Sequence, residues 1–231
     1  MHFPQIADHA RGFCTDALAV LVFHLYIDSN EHSVQTSGLN FMPVATLTRD
    51  QVVDRILAAF RRYGYEGSSL SRLSEATGLG RSSLYHYFPN GKEDMASAAM
   101  GAVGAWFTQH VLSTLNSREV SAIRLQRFAG KLTEYYANGT APCLMDVFTI
   151  GEAGSLFQQH LGARMRALMA LLAEVAEQAG VDKVEAAVRA ENAVVAIQGS
   201  LIVSRALDSN GPFLRMIENF PAILLGPQST E

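Results

Sequence analysis

Apolar residues recur at every third or fourth position along most of the chain from Thr48 onward. No segment alternates apolar and polar residues for long enough to favour a β-strand. The pattern therefore predicts an all-α protein with about nine helices. The predicted helices span 48–64, 69–78, 81–88, 90–115, 119–137, 142–152, 155–179, 183–207 and 212–224.

Capping residues mark the ends of these helices. A Ser, Thr, Asp or Asn before a helix accepts a hydrogen bond from a free backbone N–H, and a Glu or Gln three residues later can return one. Glycine favours the left-handed conformation in which helices commonly end, as expected at Gly64, Gly78 and Gly180. The predicted capping boxes are Thr48 with Gln51, Asn90 with Glu93 and Asp182 with Glu185, while Ser69 is a further N-cap and Pro212 lies in a first turn.

Residues 1–47 have a different character. They hold no clear amphipathic period, and the stretch "DSNEHSVQTSG" is polar and rich in turn-forming residues. The stretch "MPVATLTRDQ" that follows looks like an ordinary protein start, so we expect the native chain to begin at Met42. Residues 1–41 are accordingly expected to be a poorly ordered N-terminal extension or to precede the true start.

Composition and charge limit the possible classes. The 231 residues are 48% hydrophobic, as is typical of a soluble globular protein. The net charge is −4, but residues 48–95 carry seven Lys and Arg against six acids, so this segment is the best suited to contact phosphate. Cys14 and Cys143 stand in no metal-ligand or disulfide pattern, which predicts no metal or cofactor and agrees with a cytoplasmic location. The apolar run 17–27 is about half as long as a membrane span.

The stretch "GLGRSSLYHYFPNGKED" contains the richest chemistry of the chain. Two short helices joined by a glycine-containing turn have the layout of a helix-turn-helix, whose second helix enters the DNA major groove. On that helix Leu84 and Phe88 share the inner side. Arginine can pair with guanine, hydroxyls can approach bases or phosphates, and a helix N-terminus beside a lysine attracts an anion. The candidate DNA-binding residues are Arg81, Ser82, Ser83, Tyr85, His86 and Lys92.

The segment "AFRRYGYEGSSLSRLSEATGLGRSSLYHYFPNGKEDM" resembles the TetR/AcrR family of transcriptional regulators. The motifs "FPNGKE", "APCL" and "IQGSLIVSRALDSNGPF" are similar to the LmrA/YxaF-type subgroup. The resemblance implies a DNA-binding domain at 48–95 and a ligand-binding and dimerisation domain at 96–225. It also implies that Ser83, Tyr85 and Lys92 contact DNA while Arg81, Ser82 and His86 tune the operator. Gly80 and Ser82 depart from the family pattern, which usually has Ser or Thr and then Gly or Ala at these positions.

Aromatic residues are frequent in the second half of the chain, and they allow two interpretations. At helical spacing such residues are by default core, but they also suit an adaptable apolar cavity, which the resemblance favours. His110 is the most plausible polar group of such a cavity, whereas Cys143 is expected to be an inert packing residue. The candidate ligand-binding residues are Trp106, Phe107, His110, Phe128 and Phe148.

The predicted helix at 183–207 carries mostly small residues at steps of three and four. Such a row allows a neighbouring helix to approach closely, either within the chain or in a second copy. The resemblance implies a homodimer formed through the last two long helices, which supplies the two-fold symmetry of a palindromic DNA site. The residues of this row are Ala186, Ala190, Ala193, Ile197, Ser200, Leu201 and Ser204.

These observations predict a ligand-responsive DNA-binding regulator, namely a repressor released from a palindromic operator by a small lipophilic or aromatic effector. Its two recognition helices would lie about 34 Å apart, and the predicted helix at 90–115 would connect the two domains. One alternative is a small-molecule-binding helical protein without operator binding, and another is a peripheral membrane protein anchored by residues 17–27. An enzyme is not expected, because Asp146 and Glu152 share no helix face and His160 has no partner at metal-ligand spacing.

Overall fold

A computed structural model describes residues 47–227. In this part of the chain nine α-helices and two 3₁₀ turns form, and no strand occurs, so the all-α prediction is confirmed. The predicted extension at 1–41 and the apolar run 17–27 lie outside the described residues. The α-helices are α1 Arg49–Gly67, α2 Leu70–Thr77, α3 Arg81–Tyr87, α4 Lys92–His110, α5 Ser121–Tyr135, α6 Leu144–Val147, α7 Gly151–Gln178, α8 Lys183–Ala206 and α9 Gly211–Leu225, and the 3₁₀ turns are Leu112–Asn116 and Ala137–Gly139.

The first two helices begin at the predicted caps. Thr48 Oγ1 accepts a hydrogen bond from the Gln51 N–H at 3.3 Å, and Gln51 Oε1 accepts one from the Thr48 N–H at 2.9 Å. Ser69 Oγ caps α2, and Gly78 ends it with φ at 71°. The predicted end of α1 at Gly64 is instead a kink with φ at 74°, after which the helix continues to Gly67.

The start of α4 differs from the prediction. Gly91, with φ at 69°, is the N-cap residue and contributes no side-chain hydrogen bond. Because Asn90 therefore lies one residue before the cap, it pairs with Asp94 rather than Glu93, through bonds of 2.8 and 3.1 Å to the two carboxylate oxygens. The helix also ends earlier, at His110, where the chain tightens into the 3₁₀ turn.

Two further helix boundaries differ from the prediction. The predicted helix at 142–152 is reduced to the single turn of α6, and α7 begins at Gly151 rather than 155. Gly151 has φ at 66°, a left-handed conformation that separates the two helices. Asp182 caps α8 as predicted, accepting hydrogen bonds from the N–H groups of Val184 and Glu185 at 2.9 and 3.4 Å. The Glu185 carboxylate does not complete the predicted capping box but pairs with Arg189.

The buried hydrophobic residues form one continuous core from α1 to the C-terminal helices. α1 packs on α2 and α4 and also contacts α6 and α7, while α8 lies between α7 and α9. One side of α1 is buried, with Ile56 and Phe60 at zero exposure. The helix-turn-helix therefore contacts the rest of the described chain through α1, which lies against α4 and α7.

Candidate nucleic-acid interface and sensor site

The helix α3 divides its residues between a core side and a solvent side. Leu84 and Phe88 are buried, as the sequence predicts, and they anchor the helix against α1 and its neighbours. The other side of the helix is free of the core and presents one guanidinium, two hydroxyls, a phenol and an imidazole. Its exposed residues are Arg81, Ser82, Ser83, Tyr85 and His86.

Arg81 is positioned by the preceding helix. Its Nη2 donates a hydrogen bond to Ser71 Oγ at 2.6 Å, which joins the first residue of α3 to α2. The same two residues border a cleft of about 540 Å³ between these helices. The guanidinium therefore lies at the exposed tip of α3 with one of its donors already engaged, and its remaining donors face solvent.

Tyr85 and Gly91 are in contact. The Tyr85 side chain is 45% exposed, and a Cβ added at Gly91 would lie 3.3 Å from its Cε1. Since Gly91 also has a positive φ of 69°, a larger residue there would be strained and would displace the Tyr85 ring. The turn before α4 is thus shaped to hold Tyr85 at the surface.

Lys92 is held inside the protein rather than extended toward solvent. Its Nζ donates a hydrogen bond to the backbone oxygen of Tyr65 at 3.2 Å and lies 4.0 Å from the centre of the Tyr65 ring. The residue is half-buried and links the start of α4 to the end of α1. Contact between Lys92 and DNA stays a prediction, and in this structure it would require release of the Tyr65 carbonyl.

Three of the five candidate ligand-binding residues lie together. Trp106 stacks on His110 with 4.6 Å between ring centres and on Tyr135 with 5.3 Å, and Phe107 meets the same Tyr135 ring edge-on at 5.1 Å. The His110 Nδ1 is 2.9 Å from the Trp106 backbone oxygen. This group, Trp106, Phe107, His110 and Tyr135, is called the aromatic stack below.

Phe128 and Phe148 lie elsewhere, so the five residues do not converge on one site as expected. Phe128 is fully buried against Phe220 of α9. Phe148 is also fully buried, because the turn after α6 directs it under α1, where it meets Phe60 at 5.4 Å. Both side chains are therefore core residues in this structure, as the first interpretation of the sequence allowed.

The sequence reasoning missed two arginines beside the aromatic stack. Arg61 Nη2 donates a hydrogen bond to the Tyr135 hydroxyl at 3.3 Å, and Arg164 Nη1 donates one to the Met100 backbone oxygen at 2.8 Å. Burial lowers the pKa of both guanidinium groups. Burial also raises the pKa of the Tyr135 phenol, against the opposing effect of the two arginines. No sequence signal distinguishes Arg61 from the adjacent Arg62, which is exposed.

Cys143 is buried, and its surroundings are those of a packing residue. Burial raises the pKa of its thiol, and the Tyr136 hydroxyl lies 3.6 Å from its sulfur. A thiol of raised pKa in an apolar environment is a weak nucleophile. Within residues 47–227 no group of three or more His, Cys, Asp or Glu residues is placed to hold a metal ion.

A direct contact joins α1 to α7. Glu66 Oε1 accepts hydrogen bonds from the N–H groups of Glu152 and Ala153 at 2.7 and 3.3 Å. A helix begins with unsatisfied N–H groups, so Glu66 acts as an N-cap supplied from 86 residues earlier in the chain. A Cβ at Gly151 would collide with this carboxylate, which explains the glycine at the turn.

The row of small residues on α8 is used within the chain. Ala186, Ala190 and Ala193 have no exposed surface because they pack toward α7 and α9. The opposite side of α8 is apolar and exposed, with Val188 at 50%, Val195 at 63% and Ile202 at 52%. Among the described residues α8 is also the one helix long and apolar enough to span a membrane, with 33% of its most apolar window buried.

The match with known proteins includes the helix-turn-helix. Residues 52–99 match the model of bacterial regulatory proteins of the tetR family. This segment is therefore similar to the tetR-family DNA-binding segment. The matched tetR-family segment contains α2, α3 and the exposed residues described above, so the predicted family resemblance is confirmed on the segment that carried it.

Two curated proteins are similar to part of the chain. The HTH-type transcriptional regulator YxaF of Bacillus subtilis (strain 168) is 25% identical over 91 residues, which are 39% of this chain and 48% of that protein. The HTH-type regulator LmrA of the same organism is 26% identical over 86 residues, 37% of this chain and 46% of its own length. The matched part of the chain thus spans about half the length of these curated relatives. Both are named as transcriptional regulators, not enzymes.

One solved structure shows the shared fold in the presence of DNA. The regulator CifR, as a cysteine mutant complexed with a 26 bp double-strand operator, has a TM-score of 0.61 and 20% sequence identity. The alignment covers 76% of this chain and 96% of that chain. The likeness therefore extends beyond the helix-turn-helix into the C-terminal helices.

Proposed function

We propose that this protein is a ligand-responsive transcriptional repressor that binds operator DNA as a homodimer in the cytoplasm. One observation supports this most strongly. In the tetR-family segment, α3 buries Leu84 while its opposite side exposes Arg81, Ser83 and Tyr85. A two-sided helix of this kind, held by a short turn after α2, is suited to enter the major groove.

The exposed side chains of α3 divide between two roles. Arg81 can pair with a guanine edge, and Ser82 and His86 are placed to tune which bases are read. Ser83 and Tyr85 can donate to phosphate oxygens, which fixes the register of the helix without reading sequence. Lys92 would add a phosphate contact once its side chain leaves the Tyr65 carbonyl.

The homodimer is proposed to form through the exposed side of α8. Val188, Val195 and Ile202 are spaced seven residues apart, so they lie along one stripe of the helix. An apolar stripe of this kind is typical of a helix that packs against a partner helix. Two copies related by a two-fold axis would place their α3 helices about one DNA turn, roughly 34 Å, apart.

The effector is proposed to be a small lipophilic or aromatic molecule that binds at the aromatic stack. Phe107 and His110 are half-buried and Trp106 is 9% exposed, so the effector would enter the stack between Trp106 and a neighbouring ring. An effector that binds better to a form with altered α3 spacing must weaken operator binding by the same factor. α4 and the Glu66 contact connect the stack to the helix-turn-helix.

A binding-site selection experiment with the purified protein tests the proposal. Random duplex DNA is incubated with the protein, and the bound fraction is amplified and sequenced over several rounds. The proposal expects enrichment of a palindromic sequence and salt-dependent binding. A small-molecule-binding helical protein without operator binding would enrich no sequence and would show no salt-dependent affinity for any DNA.

A further inference from the structure

The aromatic stack is flanked by two positively charged side chains from different helices. Arg61 belongs to α1 and reaches the Tyr135 hydroxyl at 3.3 Å. Arg164 belongs to α7 and reaches the backbone oxygen of Met100 at 2.8 Å. Both guanidinium groups act electrostatically on the Tyr135 phenol and favour its ionised form. The edge of the stack is therefore positively charged.

The Arg164 guanidinium lies against α4 at Gly104. A Cβ at Gly104 would collide with three atoms of the guanidinium, so the absence of a side chain there allows the arginine to lie on the helix surface. Gly104 is two residues from Trp106, which brings the guanidinium to the α4 segment that carries the stack. Among the described residues, Arg164 forms no ion pair with a carboxylate and is only half-buried.

Burial disfavours the charged forms of Arg61 and Arg164 when no effector is bound. Burial lowers the pKa of both guanidinium groups, and the neighbouring His160 has a lowered pKa because of burial and the charge of Arg164. A desolvated cation is stabilised by an anion that it can bond directly, and arginine binds carboxylates through two parallel hydrogen bonds. The ring of such a molecule would enter the stack beside Trp106, in place of one of the rings that now cover it.

We propose that the effector is an aromatic carboxylate whose carboxyl group is bound by Arg61 and Arg164 and whose ring packs on Trp106. This assignment rests on the proposed sensor function of the α4–α7 region and specifies the chemistry of its ligand. It also gives the effector a direct route to the DNA-binding segment. Arg61 lies on α1, so a carboxylate that binds it competes with the Tyr135 hydroxyl and acts on α1 itself.

Two matched probes test the proposal. 2-Naphthoate carries the carboxylate, and 2-naphthamide has nearly the same shape without the charge. Binding of each to the full chain is measured by isothermal titration calorimetry. We expect naphthoate to bind at least about tenfold more tightly than naphthamide, a difference of roughly 1.4 kcal/mol. Equal affinities, or no binding of naphthoate, would overturn the proposal.

Single arginine substitutions show which side chains cause the preference for naphthoate over naphthamide. Arg164→Gln and Arg61→Gln should abolish the advantage of naphthoate, whereas Arg166→Gln and Arg62→Gln, which alter exposed arginines on the same two helices, should keep it. Arg164→Lys retains the charge without the paired donors and should keep part of the advantage, which separates loss of recognition from loss of folding. An advantage that survives in both Arg61→Gln and Arg164→Gln contradicts the assignment.

Operator binding is measured on the same samples by fluorescence anisotropy. If the probes bind equally while the selected operator is still bound, the carboxylate assignment is wrong and the proposed function stands. If no sequence is bound at all, the proposed function fails, whatever the calorimetry gives. Release of the operator by naphthoate but not by naphthamide would support both.

Discussion

The carboxylate of Glu66 accepts a hydrogen bond from the backbone N–H of Glu152 at 2.7 Å, which ties the end of α1 to the first turn of α7. α1 packs on α2 of the helix-turn-helix, and α7 is the long helix that carries Arg164. Any shift of α7 along its axis must therefore either move the end of α1 or break this cap. The contact is a direct mechanical connection between the proposed sensor and the DNA-binding segment.

Removal of this connection should uncouple the two regions. Glu66→Ala is expected to lower the midpoint of urea unfolding modestly without changing its slope, because an N-cap is lost while the core is unchanged. Operator affinity without effector should stay within a few fold, and the effector-induced loss of affinity should shrink. Glu75→Ala, at an exposed glutamate on α2, is the matched control. An effector response equal to that of the unaltered protein would disprove the coupling role.

The Glu66 carboxylate should also make stability depend on pH. Its pKa lies below the ordinary value of 4.5, chiefly because the carboxylate accepts a hydrogen bond from its own backbone N–H and further ones from Ala153 and Glu152. A lowered pKa in the folded state gives stability that is fully present above 4.5 and is lost as the pH falls through the folded value. The stability difference between the protein and Glu66→Gln should therefore shrink below that pH in urea titrations. A difference that does not change with pH would exclude this role of the charge.

Arg81 and Lys92 should have different effects on DNA binding. Arg81→Ala is expected to cost roughly 1–3 kcal/mol on the selected operator and little on random DNA, because a base contact is lost. Lys92→Ala should weaken binding to all sequences and reduce the salt slope by about one. Lys183→Ala, at an exposed lysine on α8, serves as the control. Equal loss on operator and random DNA for Arg81→Ala would refute base readout by this residue.

The exposed stripe of α8 should carry the dimer. Val195→Glu would place a charge in the apolar contact, and the dimer dissociation constant should rise by at least roughly tenfold. Sedimentation velocity across a dilution series measures this directly. Val120→Glu alters an exposed valine outside α8 and should leave the dimer intact. If Val195→Glu dimerises as tightly as the unaltered protein, the interface lies elsewhere.

Substitution of Phe107 should mainly affect the effector response, whereas substitution of Phe148 should mainly affect stability. Phe148→Ala removes a fully buried ring packed on Phe60, so it should cost about 3–5 kcal/mol of stability. Phe107→Ala alters a half-buried ring of the aromatic stack and should reduce effector response with a smaller loss of stability. Effector binding should also change the emission of Trp106, the one tryptophan of the chain. Unchanged emission together with an unchanged response in Phe107→Ala would remove the stack as the effector site.

Local signals in the sequence were enough to predict most of the helices. The capping box of Thr48 and Gln51, the Ser69 cap and the left-handed Gly78 depend on residues within four positions of each other. The sequence predicts Asn90 as the N-cap of α4, but the N-cap residue is Gly91, one position later. The residue types alone do not reveal this difference. The buried and exposed sides of α3 followed from its apolar spacing.

Contacts between distant segments could not be predicted in the same way. Arg61 and Arg62 are adjacent and chemically identical, and only the packing of α1 on the C-terminal helices decides which of them is half-buried beside Tyr135. Phe128 and Phe148 looked equivalent to Phe107, although they pack against different helices. On α8 the small residues indicated close packing, but the sequence left open whether the partner was in the same chain.

The most direct test of the account is a titration of the selected operator with the purified protein, followed by fluorescence anisotropy at several salt concentrations and by native mass spectrometry. Two protomers are expected on each palindromic site, with an affinity that falls linearly with salt concentration on logarithmic axes. A half-site is expected to bind much more weakly than the full palindrome. Binding of a single protomer with equal affinity for half-site and palindrome, or no salt-dependent binding to any duplex, would contradict the account.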